Sequence, residues 1–252
     1  MTNFFDLTGK IALVTGSSTG LGQGIALGLA QAGAKVIGLG PSDASETAEK
    51  IKAIDGSFTH LQADLTATND LNNLVDKARE IYGKIDILVN NAGTIRRQDA
   101  IDFTEDNWDE VMDLNLKKVF FLSQAVARHW VDGNTGGKII NIASLLSFQG
   151  GIRIASYTAS KSGLAGLTKL LACEWANKGI CVNAIAPGYF STNNTTELRA
   201  DEERNKQILG RIPAGQWGQP SDLAGAAVFL ASPASDYIHG IVLPVDGGWL
   251  AR

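Results

Sequence analysis

Short apolar runs alternate with longer amphipathic stretches along this 252-residue chain, and this alternation limits the possible folds more than any other feature. Runs such as Ile11–Val14 and Ile139–Ala143 are apolar at successive positions, which indicates strands buried on both faces of a sheet. The predicted strands are Ile11–Val14, Lys35–Leu39, Phe58–Gln62, Ile85–Val89, Ile139–Ala143, Val182–Ala186 and Ile241–Val245.

The stretches between these strands have the length and periodicity of helices. They are Leu21–Gln31, Ser45–Ile54, Asn69–Tyr82, Thr104–Trp130, Tyr157–Lys178 and Pro220–Leu230. Strands that alternate with helices pair in parallel through right-handed crossovers. Since no linker or internal repeat interrupts the pattern, we predict one α/β domain over residues 1–252. Its fold would be a doubly wound, Rossmann-type parallel sheet of seven strands with helices on both faces.

Composition and charge exclude several classes of protein. A formal net charge of −4 without a basic run argues against a nucleic-acid partner. No run of about 18 apolar residues is present, so we expect no membrane span and no membrane partner. The first residues lack the basic region and apolar core of a signal peptide. Cys173 and Cys181 have no ligand cluster beside them, so we expect no metal and two small core residues in a reducing, cytoplasmic environment.

A glycine-rich turn joins the first predicted strand to the first predicted helix. Gly16 would allow the tight turn, Gly20 the close approach of a pyrophosphate, and Gly22 the packing of helix on strand. Glycines alone could serve only turn geometry and packing. Their position between the first strand and the first helix favours a dinucleotide site.

Ser144, Tyr157 and Lys161 form the predicted catalytic group. Tyr157 and Lys161 are four residues apart and therefore share a helix face, and Ser144 follows a predicted strand. A phenol has a pKa of about 10, and lowering it to about 7 requires about 4 kcal/mol. One ammonium about 4 Å away supplies that at an effective dielectric constant of about 20. The pair could also lie on the surface by chance, but the nearby serine and the glycines favour acid–base chemistry.

These features resemble the short-chain dehydrogenase/reductase family over nearly the whole chain. The matching motifs occur in the family's order: Thr15–Gly22, Asp64, Asn90–Gly93, Asn115, Ser144, Tyr157, Lys161 and Pro187–Gly188. The resemblance implies a nicotinamide-dependent oxidoreductase whose catalytic residues are Ser144, Tyr157, Lys161 and Asn115. It also implies that Asn115 binds a water that links Lys161 to solvent.

The same resemblance implies the cofactor contacts. They are Gly16, Ser18, Thr19, Gly20, Leu21, Gly22, Asp64, Leu65, Asn91, Ala92, Gly93, Tyr157, Lys161, Pro187, Gly188 and Thr192. Taken singly, Asp64 could cap a helix, Asn115 could be an ordinary polar helix position, and Pro187–Gly188 could be only a turn. Their occurrence in series favours the functional interpretation.

The end of the second strand bears on the choice between NAD and NADP. An acid there would bind the ribose 2′-hydroxyl and repel a 2′-phosphate, but the equivalent position is Gly40. Ser42 or Asp43 could reach the ribose, or both could be turn residues. No Arg or Lys occupies positions 17–19 or 40–44 to hold a 2′-phosphate. We therefore expect NAD, with NADP as the alternative.

Four further stretches are similar to family members that interconvert a secondary alcohol and a ketone on a deoxy sugar acid: Asn90–Arg97, Ser147–Arg153, Ala186–Asn194 and Asp246–Arg252. A sugar acid carries a carboxylate that requires a cation or another donor. The candidate substrate contacts are Ser144, Gln149, Arg153, Arg96, Tyr189 and Asn193. For Arg97 we expect a surface salt bridge, and for residues 189–214 a lid over the substrate.

Two other functions remain open. The chain could be another carbonyl reductase, such as an NADPH-dependent 3-oxoacyl thioester reductase or a different polyol or sugar dehydrogenase. It could also be a nucleotide-binding regulator without catalysis, although the intact catalytic group argues against that. The resemblance further implies a homotetramer assembled through the two long helices and the last strand.

Overall fold

The computed structural model describes residues 3–252, in which seven parallel strands form one sheet. The strands are β1 Ile11–Thr15, β2 Lys35–Gly40, β3 Phe58–Gln62, β4 Ile87–Asn90, β5 Gly137–Ile142, β6 Ile180–Pro187 and β7 Val242–Val245. Their order is β3-β2-β1-β4-β5-β6-β7. All seven predicted strands are confirmed. The order reverses between β1 and β4, and ligands of doubly wound sheets bind at such a point.

Nine α-helices connect or follow the strands in the described residues. They are α1 Gly20–Gln31, α2 Ser45–Lys52, α3 Leu71–Tyr82, α4 Glu105–Met112, α5 Lys118–Asp132, α6 Ala155–Trp175, α7 Thr196–Ala200, α8 Glu202–Leu209 and α9 Ala224–Ala231. The predicted continuous helix Thr104–Trp130 is divided, because a π-helical segment, Asp113–Lys117, lies between α4 and α5. Such segments occur frequently at functional sites.

Both faces of the sheet are covered, as predicted. One apolar core packs α3, α5 and α6 on the sheet through residues such as Leu74, Leu122 and Leu171. A second core packs α1 and α9 on the opposite face, with Ile25 and Leu230 fully or almost fully buried. Since each fully buried aliphatic side chain contributes about 2 kcal/mol, these two cores hold the strand ends in place.

The segment 189–214 packs on a separate, smaller apolar cluster. Ile208 and Ile212 from this segment meet Leu145 after β5 and Trp249 after β7. Asp246 positions the end of the chain, because its carboxylate accepts the backbone N–H groups of Gly248 and Leu250 at 2.8 and 2.9 Å.

The two cysteines differ in their surroundings. Cys181 on β6 is buried, as predicted, and its thiol lies 3.4 Å from Lys138 Nζ. Cys173 is exposed, so its predicted place in the core is wrong: the buried positions of this turn of α6 are Leu171 and Ala172. None of the helices between residues 3 and 252 has both the length and the apolar character that crossing a bilayer requires.

Candidate active site

The carboxyl edge of the sheet brings together the glycine turn after β1, the loop after β4, Ser144 after β5 and the chain that follows β6. Gly16 and Gly20 have positive φ angles of 66° and 57°. A Cβ on Gly22 would lie 2.1 Å from the Gly16 carbonyl oxygen, so only glycine permits this contact between α1 and the turn. Ser18 and Leu21 are half-buried between these glycines.

The amino terminus of α1 has the properties of an anion site. Thr19 occupies the N-cap position without a side-chain capping bond, and the first turn of α1 carries no acid. The N–H groups of that turn are therefore available to an anion. Across the cleft, the Thr192 methyl lies 3.6 Å from the point where a Cβ of Gly20 would be. This cradle fits the pyrophosphate of a dinucleotide.

Hydrogen bonds join the glycine turn to the loop after β4. Thr15 Oγ1 accepts the N–H groups of Asn91 and Ala92, both at 2.9 Å. Asn91 Nδ2 in turn donates to the carbonyl oxygens of Thr15 and Gly16 at 2.8 and 3.0 Å. Gly93 continues this loop towards Asn115, whose Oδ1 would lie 3.0 Å from a Cβ on Gly93. The contribution of Thr15 was missed, although a threonine directly before the first glycine was a visible signal.

The structure brings Ser144, Tyr157 and Lys161 together. Ser144 is 7 % exposed, and its Oγ accepts the Leu146 N–H at 3.2 Å. Lys161 is buried, with its Nζ 5.6 Å from the centre of the Tyr157 ring. The same ammonium donates to the Ile142 carbonyl oxygen at 2.6 Å. The end of β5 thus fixes both the serine and the lysine.

The pKa values of Tyr157 and Lys161 respond mainly to burial. Desolvation raises the pKa of Tyr157, and a hydrogen bond with Ser144 and the charge of Arg97 oppose this effect. Desolvation also lowers the pKa of Lys161 to about 8. Tyr157 as a whole remains partly accessible, so the desolvation acts at its deeply placed hydroxyl. The predicted lowering of the Tyr157 pKa by Lys161 is therefore wrong for the residues of this chain, because loss of hydration outweighs the charges nearby.

Asn115 lies in the π-helical segment and is fully buried. Its Oδ1 accepts the Thr94 N–H, and its Nδ2 donates to the Thr94 carbonyl oxygen, both at 2.8 Å. Ser160 Oγ lies 3.4 Å from the same Nδ2. Asn115 is therefore not an ordinary polar position on a helix surface. Its side chain holds the loop after β4 against the catalytic helix α6.

The three arginines near the cleft have different partners. Arg96 pairs with Glu110, and Arg153, at a positive φ of 62°, pairs with Asp99 at 3.0 Å. Arg97 has no carboxylate within salt-bridge distance among residues 3–252, so the surface salt bridge predicted for it is wrong. Instead, its guanidinium lies 3.4 Å from the Asn194 carbonyl oxygen. Its positive charge also lowers the pKa of Tyr157, against the larger effect of burial, which raises it. Of these three arginines, Arg97 is therefore the one without a carboxylate partner in residues 3–252.

Gln149 and Tyr189 form part of an aromatic wall beside the cleft. The Tyr189 ring lies 4.7 Å from Trp249 and 5.5 Å from Trp217, measured between ring centres. Gln149 Oε1 accepts the Trp249 Nε1–H at 3.1 Å, and Arg211 stacks on Trp249 at 4.2 Å. Sequence reasoning missed Trp217 and Arg211, because nothing local indicates that they meet the end of the chain. The side chain of Asn193 is exposed.

Asp64 and Leu65 follow β3, where the Ala63 N–H donates to the carbonyl oxygen of Gly40 at the end of β2 at 3.1 Å. Asp64 accepts both the N–H and the hydroxyl of Thr66, and these bonds lower the pKa of its carboxyl. It does not cap α3, since Asp70 does so by accepting the Asn73 N–H at 3.0 Å. Leu65 is buried. Asp43 is engaged by Ser45 at the start of α2.

The chain after β6 completes the site. Pro187 ends β6, and the Gly188 N–H donates to the Val245 carbonyl oxygen at 2.9 Å. A Cβ on Gly188 would lie 2.6 Å from Asp246 Cα, so this glycine allows β6 to pack closely on the end of β7. The chain then turns towards the glycine loop at Thr192. A doubly wound sheet that carries a glycine-rich turn after its first strand and a Ser–Tyr–Lys group at the same edge is the arrangement of a nicotinamide-dependent dehydrogenase.

Comparisons with known proteins agree with this arrangement. A family model described as enoyl-(acyl carrier protein) reductase matches residues 16–250. The chain is 61% identical over 250 residues to 2-dehydro-3-deoxy-D-gluconate 5-dehydrogenase of Dickeya dadantii (strain 3937), covering 99% of each chain. The chain belongs to the short-chain dehydrogenase/reductase family.

Two crystal structures are similar over almost the entire length. One, from Agrobacterium tumefaciens, is described as a 2-deoxy-D-gluconate 3-dehydrogenase with bound NADP; it is 57% identical, with a TM-score of 0.92 and 100% coverage of both chains. The other is a gluconate 5-dehydrogenase from Burkholderia cenocepacia J2315 in complex with NADP and tartrate. It is 40% identical, with a TM-score of 0.93, and the match covers 99% of this chain and 98% of that one.

Proposed function

We propose that this protein interconverts 2-dehydro-3-deoxy-D-gluconate and 3-deoxy-D-glycero-2,5-hexodiulosonate. The observation that carries the proposal is the convergence of Ser144, Tyr157 and Lys161 at the edge of the sheet that also holds the glycine turn, with the unpaired Arg97 beside them. Similarity to proteins named for deoxy sugar acids supports the choice of substrate.

In this proposal Tyr157 is the acid–base residue and exchanges a proton with the substrate oxygen. The Ser144 hydroxyl holds the same oxygen, because the Leu146 N–H fixes its position. A bound nicotinamide dinucleotide supplies or accepts the hydride. Lys161 sits behind the Tyr157 ring, and its pKa of about 8 suits it to pass protons near neutral pH. Asn115 positions the loop beside this relay and would hold the connecting water.

We assign the substrate carboxylate to Arg97. Arg96 and Arg153 are already paired with Glu110 and Asp99, so binding the carboxylate there would require breaking an ion pair. A guanidinium suits a carboxylate because it can donate two parallel hydrogen bonds. Gln149, Tyr189 and Asn193 remain proposed contacts for hydroxyl groups, with the free amide N–H groups of Gln149 as donors.

For the cofactor we propose NAD or NADP with weak discrimination and a preference for NAD. The nearest atoms to a Cβ on Gly40 would be 3.9 Å away, so no side chain fills the space at the end of β2. Since positions 40–44 carry no Arg or Lys, a 2′-phosphate would find no cation there. Two similar structures nevertheless hold NADP, so we expect the ratio of kcat/KM values for NAD and NADP to be within about tenfold.

We further propose that the chain is a single catalytic domain whose residues 189–214 form the substrate lid.

We infer a homotetramer that uses α4, α5 and α6, because an apolar groove between them is lined by Leu116, Phe120 and Leu170, the last 49% exposed. A cytoplasmic location suits the two free cysteines.

Steady-state turnover tests the proposal directly. We expect kcat/KM for 2-dehydro-3-deoxy-D-gluconate to exceed that for a 3-oxoacyl thioester or a neutral polyol by about 100-fold or more, because the site offers a cation to a carboxylate. A thioester or polyol that is turned over faster would contradict the assignment and favour another carbonyl reductase. No turnover of any of them, despite nucleotide binding, would favour a regulator.

A further inference from the structure

Two hydrogen bonds to Lys161 flank Ser144 along the chain. On one side, the Lys161 ammonium donates to the carbonyl oxygen of Ile142, the last residue of β5, at 2.6 Å. On the other side, the backbone carbonyl oxygen of Lys161 accepts a hydrogen bond from Ser147 Oγ, also at 2.6 Å. Ser144 lies between Ile142 and Ser147, so one residue of the catalytic helix α6 anchors the chain before and after the serine.

Ser147 ends a short 3₁₀ turn, Leu145–Ser147, that begins directly after Ser144. The Ser147 N–H donates to the Ser144 carbonyl oxygen at 3.0 Å, and the Leu146 N–H donates to Ser144 Oγ at 3.2 Å. Ser144 and this turn are therefore one hydrogen-bonded unit. Since Ser147 is half-buried and lies outside the two apolar cores on the sheet, we expect the fold to tolerate loss of its hydroxyl.

We propose that Ser147 is a positioning residue that aligns the Ser144 hydroxyl with Tyr157. Tyr157 lies one helical turn before Lys161 on α6, so both share a face of that helix. The bond from Ser147 to the Lys161 backbone then sets how closely Ser144 approaches that face. Because a displacement of about 1 Å can lower a rate about 100-fold, a hydroxyl that does not touch the substrate can affect catalysis. The inference rests on the roles proposed for Ser144 and Tyr157 and not on the identity of the substrate.

Steady-state kinetics of Ser147→Ala test this role. We expect kcat to fall by about 10-fold, while KM and the Kd of NADH stay within about twofold, because the glycine turn and Arg97 are unchanged. Ser147→Thr keeps the hydroxyl and should recover most of the loss.

The pH dependence of Ser147→Ala gives a second readout. The hydrogen bond with Ser144 lowers the pKa of Tyr157, so a misaligned Ser144 leaves that pKa higher than in the wild type. Oxidation of the alcohol requires the deprotonated phenol as base, and its rate should therefore rise with pH at higher pH in Ser147→Ala. An unchanged pH profile would contradict the proposed alignment.

Ser232→Ala is the matched control for stability. Ser232 is fully buried at the end of α9, and its Oγ donates to the Phe229 carbonyl oxygen at 2.9 Å. Since each variant loses one bond from a hydroxyl to a backbone carbonyl, the urea midpoint should fall by a similar amount in both. Only Ser147→Ala should lose kcat. Equal losses of kcat in the two variants, or a kcat of Ser147→Ala within about twofold of the wild type, would overturn the proposal.

Crystal structures provide a readout that does not depend on turnover. The Ser144 and Tyr157 hydroxyl oxygens should lie about 3 Å apart in the wild type and more than about 3.5 Å apart in Ser147→Ala. An unchanged separation in the variant would overturn the proposal. A wild type that fails to turn over the sugar acid would instead overturn the proposed function, and this comparison of distances would be unaffected.

Discussion

The catalytic group and segment 189–214 are held in different ways. Ser144, Lys161 and Asn115 are 7%, 5% and 0% exposed, and each is fixed by backbone hydrogen bonds at or near a strand end. Segment 189–214 consists of short polar helices that depend on a small cluster completed by Trp249. The proposed proton-transfer group is therefore preorganised by the core, whereas the proposed substrate lid depends on a few contacts that can be removed one at a time.

Tyr157→Phe tests the preorganised half of this comparison and should have the largest effect. Removing the hydroxyl deletes the proton donor and acceptor, so kcat should fall by about 10³-fold. NADH should still bind, with an affinity within about fivefold of the wild type, because the variant loses one hydroxyl and keeps the glycine turn intact. Unchanged turnover at saturating substrate would show that Tyr157 is not the acid–base residue.

Lys161→Met should reveal the cost of holding an ammonium in the core. The pKa of Lys161 is lowered from 10.5 to about 8, so the unfolded chain binds more protons between these values and wild-type stability rises with pH there. Below pH 8, burial of the charged Lys161 destabilises the wild type by about 3 kcal/mol. In the variant the Ile142 carbonyl oxygen loses its hydrogen bond, which costs about 1 kcal/mol.

Urea unfolding should therefore find Lys161→Met about 2 kcal/mol more stable than the wild type at pH 7. The gain should shrink as the pH rises from about 8 towards 10. A variant that is less stable at pH 7 would show that the lysine stabilises the fold.

Arg97→Met tests a residue that connects the two regions, because the Arg97 side chain extends from the loop after β4 to the Asn194 carbonyl oxygen. We expect KM for the sugar acid to rise by about 20-fold, the worth of one charge-assisted hydrogen-bond pair, with a smaller change in kcat. Arg153→Met serves as the control, since Arg153 is already paired with Asp99 and is 61% exposed. Equal KM increases in both variants would refute the assignment.

Trp249→Ala should affect only the less constrained region and have the smallest kinetic effect. Without its ring, Tyr189 and Arg211 lose a packing partner, so segment 189–214 should be cleaved faster by a protease. KM should rise by about fivefold while kcat and NADH affinity stay within about twofold. Trp108→Ala, at a ring that is 40% exposed on α4, is the matched control. Loss of kcat in Trp249→Ala would mean that the two regions are not separable.

The sequence predicted the strands and the catalytic group, because both depend on local signals. β1 and β4 are buried along their whole length, so their apolar runs are unmistakable, and Tyr157 and Lys161 are one helical turn apart. The break in the helix around Asn115 was not predicted, because residues 105–132 contain no proline or glycine that would mark an interruption.

Contacts between distant residues were beyond sequence reasoning. Which arginine remains unpaired depends on where Glu110 and Asp99 lie in the fold, not on spacing along the chain. The direction of the Tyr157 pKa depends on desolvation, which appears only when the core is assembled. The role of Trp249 likewise required the end of the chain to be placed against segment 189–214.

A crystal structure with the dinucleotide and the sugar acid bound would show whether the substrate reacts at Tyr157 and Ser144. We expect the reacting oxygen to lie within about 3 Å of both the Tyr157 and the Ser144 hydroxyls, with the carboxylate against Arg97. A carboxylate held by Arg96 or Arg153, or a reacting carbon remote from Tyr157, would contradict it.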